Sequence, residues 1–294
     1  MRVLLTGARG FIGGAVLREL AARGHEIVAI GRNSPQPGHA NVQFIQLDLL
    51  NVELEALCTV LQGQGLTHCI HCAWYTNHSD YLVHEVNGEW VHASVKLADA
   101  FCETGGDRFV GLGSCLEYAV TDTSGPCSEA STPLGSSTLY GRSKIATFQG
   151  LKSGFEDFAW ARVFFVYGTG DRAGRYIPKM IENALAGEPI GPMSGGLRRD
   201  YIHVADLANQ LVRIACSDVR GAINTGTGEA PTLSDIVEII AHAIDRPKLA
   251  RTNPNIDGQP PLIQADLTRF RSKVGDPDAR SIRDGITRML GSEG

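Results

Sequence analysis

The stretch that decides the fold is Thr6-Gly7-Ala8-Arg9-Gly10-Phe11-Ile12-Gly13. It follows the apolar run Val3-Leu4-Leu5 and opens a segment in which Ile12, Val16 and Leu20 recur at helical spacing. Glycines let the backbone turn tightly and approach a ligand closely. The free N–H groups at the start of the following helix then face an anion. A strand, a glycine turn and a helix in this order predict a dinucleotide site.

The composition limits the classes of partner. The 294-residue chain has a net charge of -5, which argues against nucleic acid or a membrane surface. It has no apolar stretch near the roughly 20 residues that span a bilayer, and no signal-peptide pattern. Its seven scattered cysteines are typical of reduced cytoplasmic thiols. Although Cys69-Ile70-His71-Cys72 is formally C-x-x-C, it lies in an apolar run without a second ligand pair, so no metal site is predicted.

Apolar runs alternate with helical patterns through the first half of the chain. The predicted strands after the glycine turn are Ile27–Ile30, Val42–Leu47, His68–Ala73 and Arg108–Gly113, and the predicted helices end near Gly24 and Leu61 or cover Glu85–Glu103. This alternation predicts an α/β fold with a Rossmann-like, doubly wound parallel sheet. Ligands in such sheets bind beyond the carboxyl ends of the strands.

The regular alternation breaks up from about Tyr176 onward. Proline-bearing loops intervene at residues 189–192 and 253–261, and Thr232-x-x-Asp235 predicts a capped amphipathic helix that reaches Ile244. We therefore predict a Rossmann domain over residues 1–168, with the chain returning to it around 197–226. The remaining residues, 169–294, are predicted to form mainly a smaller C-terminal α/β substrate domain.

The end of the second strand indicates which dinucleotide binds. Gly31-Arg32-Asn33 lies where the adenosine ribose is expected, and it has no acidic side chain to bind a ribose 2′-OH. Arg32 occupies that place and Arg9 approaches from the glycine turn; two guanidinium groups suit a 2′-phosphate. We therefore predict NADP(H) rather than NAD(H), with the alternative that Arg32 is a solvated loop cation. Asp48-Leu49, at the end of the third strand, is expected to meet the adenine.

Candidate catalytic residues follow the fifth strand. Ser114 lies at its end, a polar loop runs over residues 121–138, and Tyr140-Gly141-Arg142-Ser143-Lys144 opens a helix. Side chains four residues apart share one helix face. An ammonium beside a phenol lowers the phenol pKa from about 10. Lys144 is therefore expected to make Tyr140 a proton-transfer group near neutral pH.

With these residues the chain resembles an extended short-chain dehydrogenase/reductase of the nucleotide-sugar epimerase, dehydratase and reductase group. The resemblance covers nearly the whole length. It is carried by Gly7-x-x-Gly10-x-x-Gly13, Asp48-Leu49, His71-Cys72-Ala73, Ser114 four residues before Tyr118, Tyr140-x-x-x-Lys144, Arg162-Val163-Phe164-Phe165-Val166-Tyr167-Gly168, Arg199-Asp200-Tyr201-Ile202-His203-Val204-x-Asp206 and Asn224-Thr225-Gly226.

The resemblance implies roles for individual residues. Tyr140 is the expected acid/base and Ser114 the hydrogen-bond partner of the reacting oxygen. Lys144 is expected to bind the nicotinamide ribose and to tune Tyr140. Arg199 is expected to contact the nucleotide diphosphate, with a surface ion pair to Asp200 as the alternative. The expected cofactor-binding residues are Gly7, Arg9, Gly10, Phe11, Ile12, Gly13, Arg32, Asp48, Leu49, Cys72, Ala73, Trp74, Tyr140 and Lys144. A homodimer is also expected from the resemblance.

Five positions depart from the family pattern. Cys115 and Leu116 stand where the dehydratases carry Asp-Glu, so a 4,6-dehydratase is not expected. Phe165 replaces an asparagine that contacts the diphosphate in the epimerases, so nucleotide placement must differ and a nucleotide-free substrate stays open. Trp74 and Tyr75 replace small residues beside the nicotinamide, where they either stack on a deoxygenated sugar face or fill space. The expected substrate-binding residues are Trp74, Tyr75, Cys115, Phe165 and Arg199.

Three functions are compatible with this pattern. The Arg9 and Arg32 pair favours an NADPH-dependent reductase of a nucleotide-activated 4-keto-6-deoxysugar, because net reduction requires cofactor exchange. The alternative is an NAD(P)-dependent nucleotide-sugar 4-epimerase, which returns the hydride to the same sugar. A non-catalytic NADP(H)-sensing regulator is the alternative of another class, and an intact set of Ser114, Tyr140 and Lys144 argues against it.

Overall fold

The computed structural model describes residues 1–34, 41–121, 125–171, 174–191, 194–255 and 258–291. Parts of three predicted loops, at residues 122–124, 192 and 256–257, lie outside the described residues. The strands are β1 (Arg2–Thr6), β2 (Glu26–Gly31), β3 (Val42–Gln46), β4 (His68–His71), β5 (Arg108–Ser114), β6 (Phe158–Val163), β7 (Phe165–Tyr167), β8 (Arg198–Arg199), β9 (Tyr201–His203), β10 (Gly221–Thr225) and β11 (Leu262–Ile263). The helices are α1 (Phe11–Ala22), α2 (Leu54–Leu61), α3 (Val86–Glu103), α4 (Leu139–Gly154), α5 (Tyr176–Leu185), α6 (Val204–Ala215), α7 (Leu233–Ala243), α8 (Thr268–Lys273) and α9 (Ile282–Gly291).

Within the described residues, seven strands form one sheet in the order β10-β6-β5-β4-β1-β2-β3. Each neighbouring pair in this sheet is parallel. The chain winds outward in both directions from β1 and β4, which confirms the predicted doubly wound α/β fold. Because the strand order reverses between β1 and β4, the ligand crevice is expected beyond their carboxyl ends.

Both faces of the sheet are covered. Successive side chains of a strand point to opposite faces, so Val3 and Leu5 of β1 lie in the core under α1 and α6. Leu4, between them, lies in the second core, under α2, α3 and α4. All three side chains are fully buried. This burial on two sides explains why the strands are continuous apolar runs rather than alternating ones.

The region beyond β6 is organised differently. Two short parallel pairs, β7 with β9 and β8 with β11, lie outside the main sheet. A separate hydrophobic core between α5, α7 and α9 contains Ile181, Ile240 and Ile286. In contrast, α6 packs on α1 and β10 is the edge strand of the main sheet. The chain therefore returns to the sheet after residue 203, whereas the division into two domains at residue 168 stays a prediction.

Two local signals in the sequence act as predicted. Thr232 Oγ1 accepts a hydrogen bond from Asp235 N at 3.0 Å, and Asp235 Oδ2 accepts one from Thr232 N at 2.8 Å. This reciprocal capping starts α7. The second signal is at the C-terminal end of α1. The helix ends at Ala22, and Gly24 follows with a φ of +74°. Glycine adopts this left-handed conformation without strain.

The predicted fourth strand ends two residues early, at His71. Ala73 N donates its hydrogen bond to the side-chain oxygen Thr6 Oγ1 at 3.1 Å rather than to a backbone carbonyl of a neighbouring strand, so the chain leaves the sheet and turns across the end of β1. Cys69 and Cys72 flank this point, and burial raises the pKa of each thiol. Among the described residues, no group of three or more His, Cys, Asp or Glu side chains is arranged to hold a metal ion. None of the helices in those same ranges is long and apolar enough to cross a membrane.

Candidate active site

A cavity of about 440 Å³ opens where β1, β2, β3 and β4 end. Predicted cofactor residues from four separate parts of the sequence meet there. The predicted cofactor residues that line it are Gly7, Arg9, Gly10, Phe11, Ile12, Gly13, Arg32, Asp48, Leu49, Cys72, Ala73 and Trp74. The crevice expected from the strand order is therefore the place where the sequence motifs converge.

The glycine turn has the backbone geometry that a pyrophosphate requires. Gly7 has a φ of +71°, and a Cβ on it would lie 2.8 Å from Ala73 N. A Cβ on Gly13 would overlap Gly7 O, so both positions need glycine. No side chain of a described residue caps α1 at Gly10. The N–H groups of the first turn of α1 are thus available to an anion.

The adenosine end of the cavity carries two cations. Arg9 and Arg32 are exposed and both line the cavity. No carboxylate of a described residue lies within ion-pair distance of either guanidinium. Asp48 is oriented by its own turn, because Oδ1 accepts from Leu50 N at 3.2 Å and Oδ2 from Asn51 Nδ2 at 2.9 Å. Two exposed cations therefore lie at this end of the cavity.

Ser114 and Tyr140 are brought together by the turn after β5 and the start of α4. Ser114 Oγ accepts a hydrogen bond from Leu116 N at 3.2 Å, which fixes the turn. A Cβ at position 141 would lie 2.5 Å from Leu116 O, so Gly141 lets α4 approach this turn closely. The Ser114 side chain lies near the Tyr140 hydroxyl and acts to lower the pKa of that phenol. The two residues predicted to act on the reacting oxygen are therefore adjacent.

Lys144 is buried behind the cavity. Its ammonium donates a hydrogen bond to Leu112 O at 2.7 Å and lies 3.5 Å from the centroid of the Trp74 ring. The same nitrogen is 5.7 Å from the centroid of the Tyr140 ring. Burial lowers the pKa of Lys144 to about 7, against the opposing field of Glu117. This amine thus sits close to the boundary between its charged and neutral forms at physiological pH.

The predicted effect of Lys144 on the pKa of Tyr140 is wrong for this structure. Burial raises the pKa of Tyr140 above its ordinary value of 10, with a further contribution from Tyr81, and the hydrogen bond to Ser114 only partly opposes them. The reason is that the Lys144 ammonium lies 5.7 Å from the centroid of the Tyr140 ring and interacts with other groups. The ammonium is held on Trp74 and Leu112 rather than on the phenol oxygen. Tyr140 is therefore a protonated phenol in this state.

Trp74 does more than fill space. Its Nε1 donates to Asn87 Oδ1 at 2.8 Å, and the buried Asn87 in turn donates to Tyr81 O at 2.7 Å and His84 O at 2.8 Å. These bonds fix the indole ring between the cofactor cavity and Lys144. An aromatic face at 3.5 Å from an ammonium attracts it electrostatically. The indole therefore supports the charge of Lys144, a role that the sequence did not indicate.

Tyr75 and Cys115, both predicted substrate contacts, are engaged within the protein. The Tyr75 hydroxyl donates to Asp80 Oδ1 at 2.9 Å and its ring lies 4.6 Å from the His84 ring. Cys115 is buried, and this burial raises its thiol pKa. Tyr75 thus shapes the loop between β4 and α3, and Cys115 is not poised as a nucleophile or proton donor. Their contacts with substrate stay predictions.

Arg199 is buried, so its alternative interpretation as a surface ion-pair partner of Asp200 is wrong. Arg199 Nη1 donates to Arg198 O at 2.9 Å and Pro260 O at 3.0 Å, and Nη2 donates to Gln259 Oε1 at 3.2 Å. Its guanidinium carbon lies 5.9 Å from the Phe165 ring centroid. The residue expected to clamp a diphosphate is thus bonded to the chain itself.

Asp200 has a separate structural function. Its carboxylate accepts hydrogen bonds from Thr227 N at 2.9 Å, Gly228 N at 3.0 Å and Ala265 N at 3.2 Å. These bonds connect the loop after β10, and the second residue after β11, to Asp200 at the start of β9. Asp200 therefore stabilises the backbone around the substrate end of the cleft rather than neutralising Arg199.

Two charged residues of the site were missed by sequence reasoning. Glu117 Oε2 accepts a hydrogen bond from Arg162 Nε at 2.8 Å, and Oε1 accepts from Ser114 N at 2.8 Å and Trp160 Nε1 at 2.9 Å. Both partners of this ion pair are buried. It lies directly behind Ser114 and anchors it. The available signal was an arginine within the apolar run Ala159-Trp160-Ala161-Arg162-Val163, because a charge buried in a strand requires a partner.

Comparison with known proteins agrees with this architecture. The pattern of the NAD dependent epimerase/dehydratase family matches residues 3–226. A dTDP-4-dehydro-6-deoxy-D-allose reductase from a Streptomyces species is 27% identical, covering 97% of this chain and 93% of its own. MoeE5, solved in complex with UDP-glucuronic acid and NAD, is 25% identical with a TM-score of 0.80 and covers 100% of both chains. A UDP-N-acetylglucosamine 4-epimerase from Methanobrevibacter ruminantium M1 has a TM-score of 0.85 at 23% identity, covering 99% of this chain and 97% of its own.

The fold and the site therefore define an NAD(P)-dependent oxidoreductase or epimerase of the extended short-chain dehydrogenase/reductase type. The family match and the similarity to a named nucleotide-sugar reductase carry this assignment. The chain belongs to the NAD dependent epimerase/dehydratase family.

Proposed function

We propose that the protein is an NADPH-dependent reductase of a nucleotide-activated 4-keto-6-deoxysugar, acting at C4. The observation that carries this proposal is the placement of Arg9 and Arg32 on the cofactor cavity. Two guanidinium groups favour a 2′-phosphate, and an exchangeable NADPH suits net reduction. The similarity to a dTDP-4-dehydro-6-deoxy-D-allose reductase supports the substrate class.

The arrangement of Ser114 and Tyr140 suits a reduction. When bound, NADPH supplies the hydride. Ser114 Oγ donates a hydrogen bond to the ketone oxygen, and the Tyr140 hydroxyl donates its proton to that oxygen as negative charge develops there. Because burial raises the pKa of Tyr140, the residue holds its proton until this step. Lys144, whose ammonium is not held on the phenol, would instead bind the nicotinamide ribose.

The substrate end of the cleft has an aromatic wall. The Phe165 ring lies 5.4 Å from the Tyr201 ring, and Tyr81 lies 5.2 Å from the Tyr140 ring. Aromatic faces suit the apolar side of a 6-deoxysugar. We propose that Arg199 contacts the diphosphate by exchanging its bond to the Gln259 side chain for one to a phosphate oxygen.

The second candidate function is an NAD-dependent nucleotide-sugar 4-epimerase. MoeE5 was solved with NAD and a nucleotide sugar, which favours NAD as cofactor. An epimerase first removes a proton from a sugar hydroxyl, so Tyr140 must act as a base. The raised pKa of Tyr140 disfavours that first step. A non-catalytic sensor is not supported, since a sensor needs none of Ser114, Tyr140 and Lys144.

The test is the loss of NADPH absorbance by the purified protein with a panel of nucleotide 4-keto-6-deoxysugars. NADH is run alongside with the same substrates. Consumption of NADPH, with much slower consumption of NADH, is the expected result. Interconversion of hydroxyl epimers without net consumption of either cofactor would assign the epimerase instead.

The division of the chain into two domains is also part of the proposal. Residues 1–168, with the return around 197–226, would bind the cofactor, and residues 169–294 would mainly bind the substrate. The separate hydrophobic core around Ile181, Ile240 and Ile286 supports this division. A homodimer and a cytoplasmic location stay predictions from the resemblance and from the thiol content.

A further inference from the structure

A third arginine lines the cofactor cavity from a part of the chain outside the glycine turn and the first four strands. Arg175, at the N-terminus of α5, and Asp171, before it, line the same cavity as the glycine turn. They follow that turn by roughly 160 residues in sequence. The cavity is thus bounded by the Rossmann motifs on one side and by the chain after β7 on the other.

The guanidinium of Arg175 is held in place but incompletely bonded. Its Nε lies 3.7 Å from Asp171 Oδ1, which is an ion pair rather than a hydrogen bond. Nε is buried and has no hydrogen-bond acceptor among the described residues. The guanidinium carbon lies 5.9 Å from the centroid of the Tyr81 ring. A buried N–H without an acceptor is costly, so its position at the cavity indicates a ligand oxygen.

A pyrophosphate bound at the glycine turn would carry negative charge that a cation can balance. The first turn of α1, Phe11-Ile12-Gly13-Gly14, supplies N–H groups to a pyrophosphate and has no basic side chain of its own. Arg9 and Arg32 belong to the adenosine end of the cavity. Arg175 is a further cation that lines the same cavity, and a guanidinium can bind two phosphate oxygens at once.

We propose that Arg175 binds the pyrophosphate of the dinucleotide and closes the cavity opposite the glycine turn. Asp171 and the Tyr81 ring are positioning groups that aim the guanidinium. The proposal rests on the proposed cofactor site but not on the direction of the chemistry, because NADPH and NADH carry the same pyrophosphate. Lysine at this position would keep a charge but lose the paired donors.

The test measures the binding of three probes to Arg175→Met by calorimetry. NADPH and NADH each contain the pyrophosphate, whereas 2′-AMP has only the adenosine and its phosphate. The dissociation constants for NADPH and NADH are expected to rise roughly 10- to 100-fold, while that for 2′-AMP stays within about twofold. Arg175→Lys is expected to recover only part of the loss.

The matched control is Lys179→Met, one turn later on α5. Lys179 is exposed and forms only a long ion pair with Glu182, at 3.4 Å, so this variant removes a cation without touching the cavity. It should leave all three dissociation constants unchanged. An equal loss of dinucleotide affinity in Lys179→Met would show that the effect comes from overall charge. An equal loss of affinity for 2′-AMP in Arg175→Met would show that the variant distorts the fold. Either result overturns the proposal.

A second source of diphosphate is the nucleotide sugar. If Arg175→Met leaves NADPH and NADH binding intact but weakens binding of UDP or dTDP, Arg175 belongs to the substrate and the proposal is wrong. Failure of the reductase assignment gives a different pattern. The protein would then bind both dinucleotides through Arg175 and yet consume no NADPH with any keto sugar.

Discussion

The two ends of the active-site cleft differ in how their polar groups are used. At the cofactor end, Arg9, Arg32 and the first N–H groups of α1 face the cavity, and the described part of the chain gives the two guanidinium groups no carboxylate partner. At the substrate end, Arg199 donates to Pro260 O and Gln259 Oε1, and Tyr75 donates to Asp80. The cofactor end is therefore formed before a ligand arrives. If Arg199 contacts the diphosphate as proposed, the substrate end must exchange internal hydrogen bonds for contacts with the ligand.

This difference has an energetic consequence. Where only water contacts a binding group beforehand, the ligand replaces hydrogen bonds to water. Where the group is already bonded within the protein, the ligand gains only the difference between the new bond and the protein bond that it replaces. We therefore expect substitutions at the cofactor end to give large and simple changes in affinity. Substitutions at the substrate end are expected to change affinity and local stability together.

The largest effect is expected for Tyr140, the proposed proton donor between the cofactor end and the substrate end. Tyr140→Phe removes the hydroxyl that donates the proton, so kcat should fall by roughly 10²- to 10⁴-fold. The dissociation constant for NADPH should stay nearly unchanged, because the phenyl ring remains. Steady-state assays with the preferred keto sugar and a binding titration measure the two quantities. Unchanged turnover would remove Tyr140 from the mechanism.

The next largest effect is expected for the buried ion pair between Arg162 and Glu117, which anchors Ser114. Arg162→Met leaves Glu117 buried without its ion-pair partner, which should lower the free energy of unfolding by about 3–5 kcal/mol. Urea denaturation measures this change. Arg2→Met is the control, since the Arg2–Glu26 pair is largely exposed and is expected to contribute at most about 1 kcal/mol. Equal losses in the two variants would contradict the argument from burial.

A third prediction separates the two cofactors. Arg32→Ser should raise the dissociation constant for NADPH by roughly 10- to 100-fold, because a charged hydrogen bond to the 2′-phosphate is lost. Binding of NADH should be unaffected. This pattern differs from that expected for Arg175→Met, in which both dinucleotides bind more weakly. If NADH affinity falls as much as NADPH affinity, Arg32 supports the loop and does not read the phosphate.

The smallest expected effect tests the contact of Trp74 with Lys144. The pKa of Lys144 is lowered to about 7 by burial, and its charged form predominates only below that pH. Activity that needs the ammonium should therefore decline as pH rises through this value. Trp74→Leu removes the aromatic face, lowers the pKa of Lys144 further and should move the alkaline limb of kcat/KM down by roughly half to one pH unit.

Trp74→Phe is the matched variant for that measurement. It keeps an aromatic face over Lys144 but loses the hydrogen bond to Asn87. Its pH profile should lie between those of the native protein and Trp74→Leu. Identical profiles for all three proteins would show that the indole does not stabilise the charge of Lys144.

Much of the site could be read from local sequence because its geometry is local. The glycine turn requires a positive φ at Gly7 and no Cβ at Gly13, and only glycine satisfies both. The spacing of Tyr140 and Lys144 places them on one face of α4 because of helix geometry alone. The alternating apolar runs predicted the doubly wound sheet, since strands covered on both faces must be apolar throughout.

Other features depended on contacts between residues far apart in the chain. Lys144 lies on Trp74, Glu117 pairs with Arg162, and Arg175 faces the cavity. Sequence spacing carries no information about such pairs, and burial by distant elements sets the pKa of each group. The sequence by itself therefore determined the cofactor motif and the fold class. Only the tertiary structure decided which way Lys144 faces, that Tyr140 retains its proton, and that Arg199 is bonded to the chain, because these depend on desolvation and packing across the whole molecule.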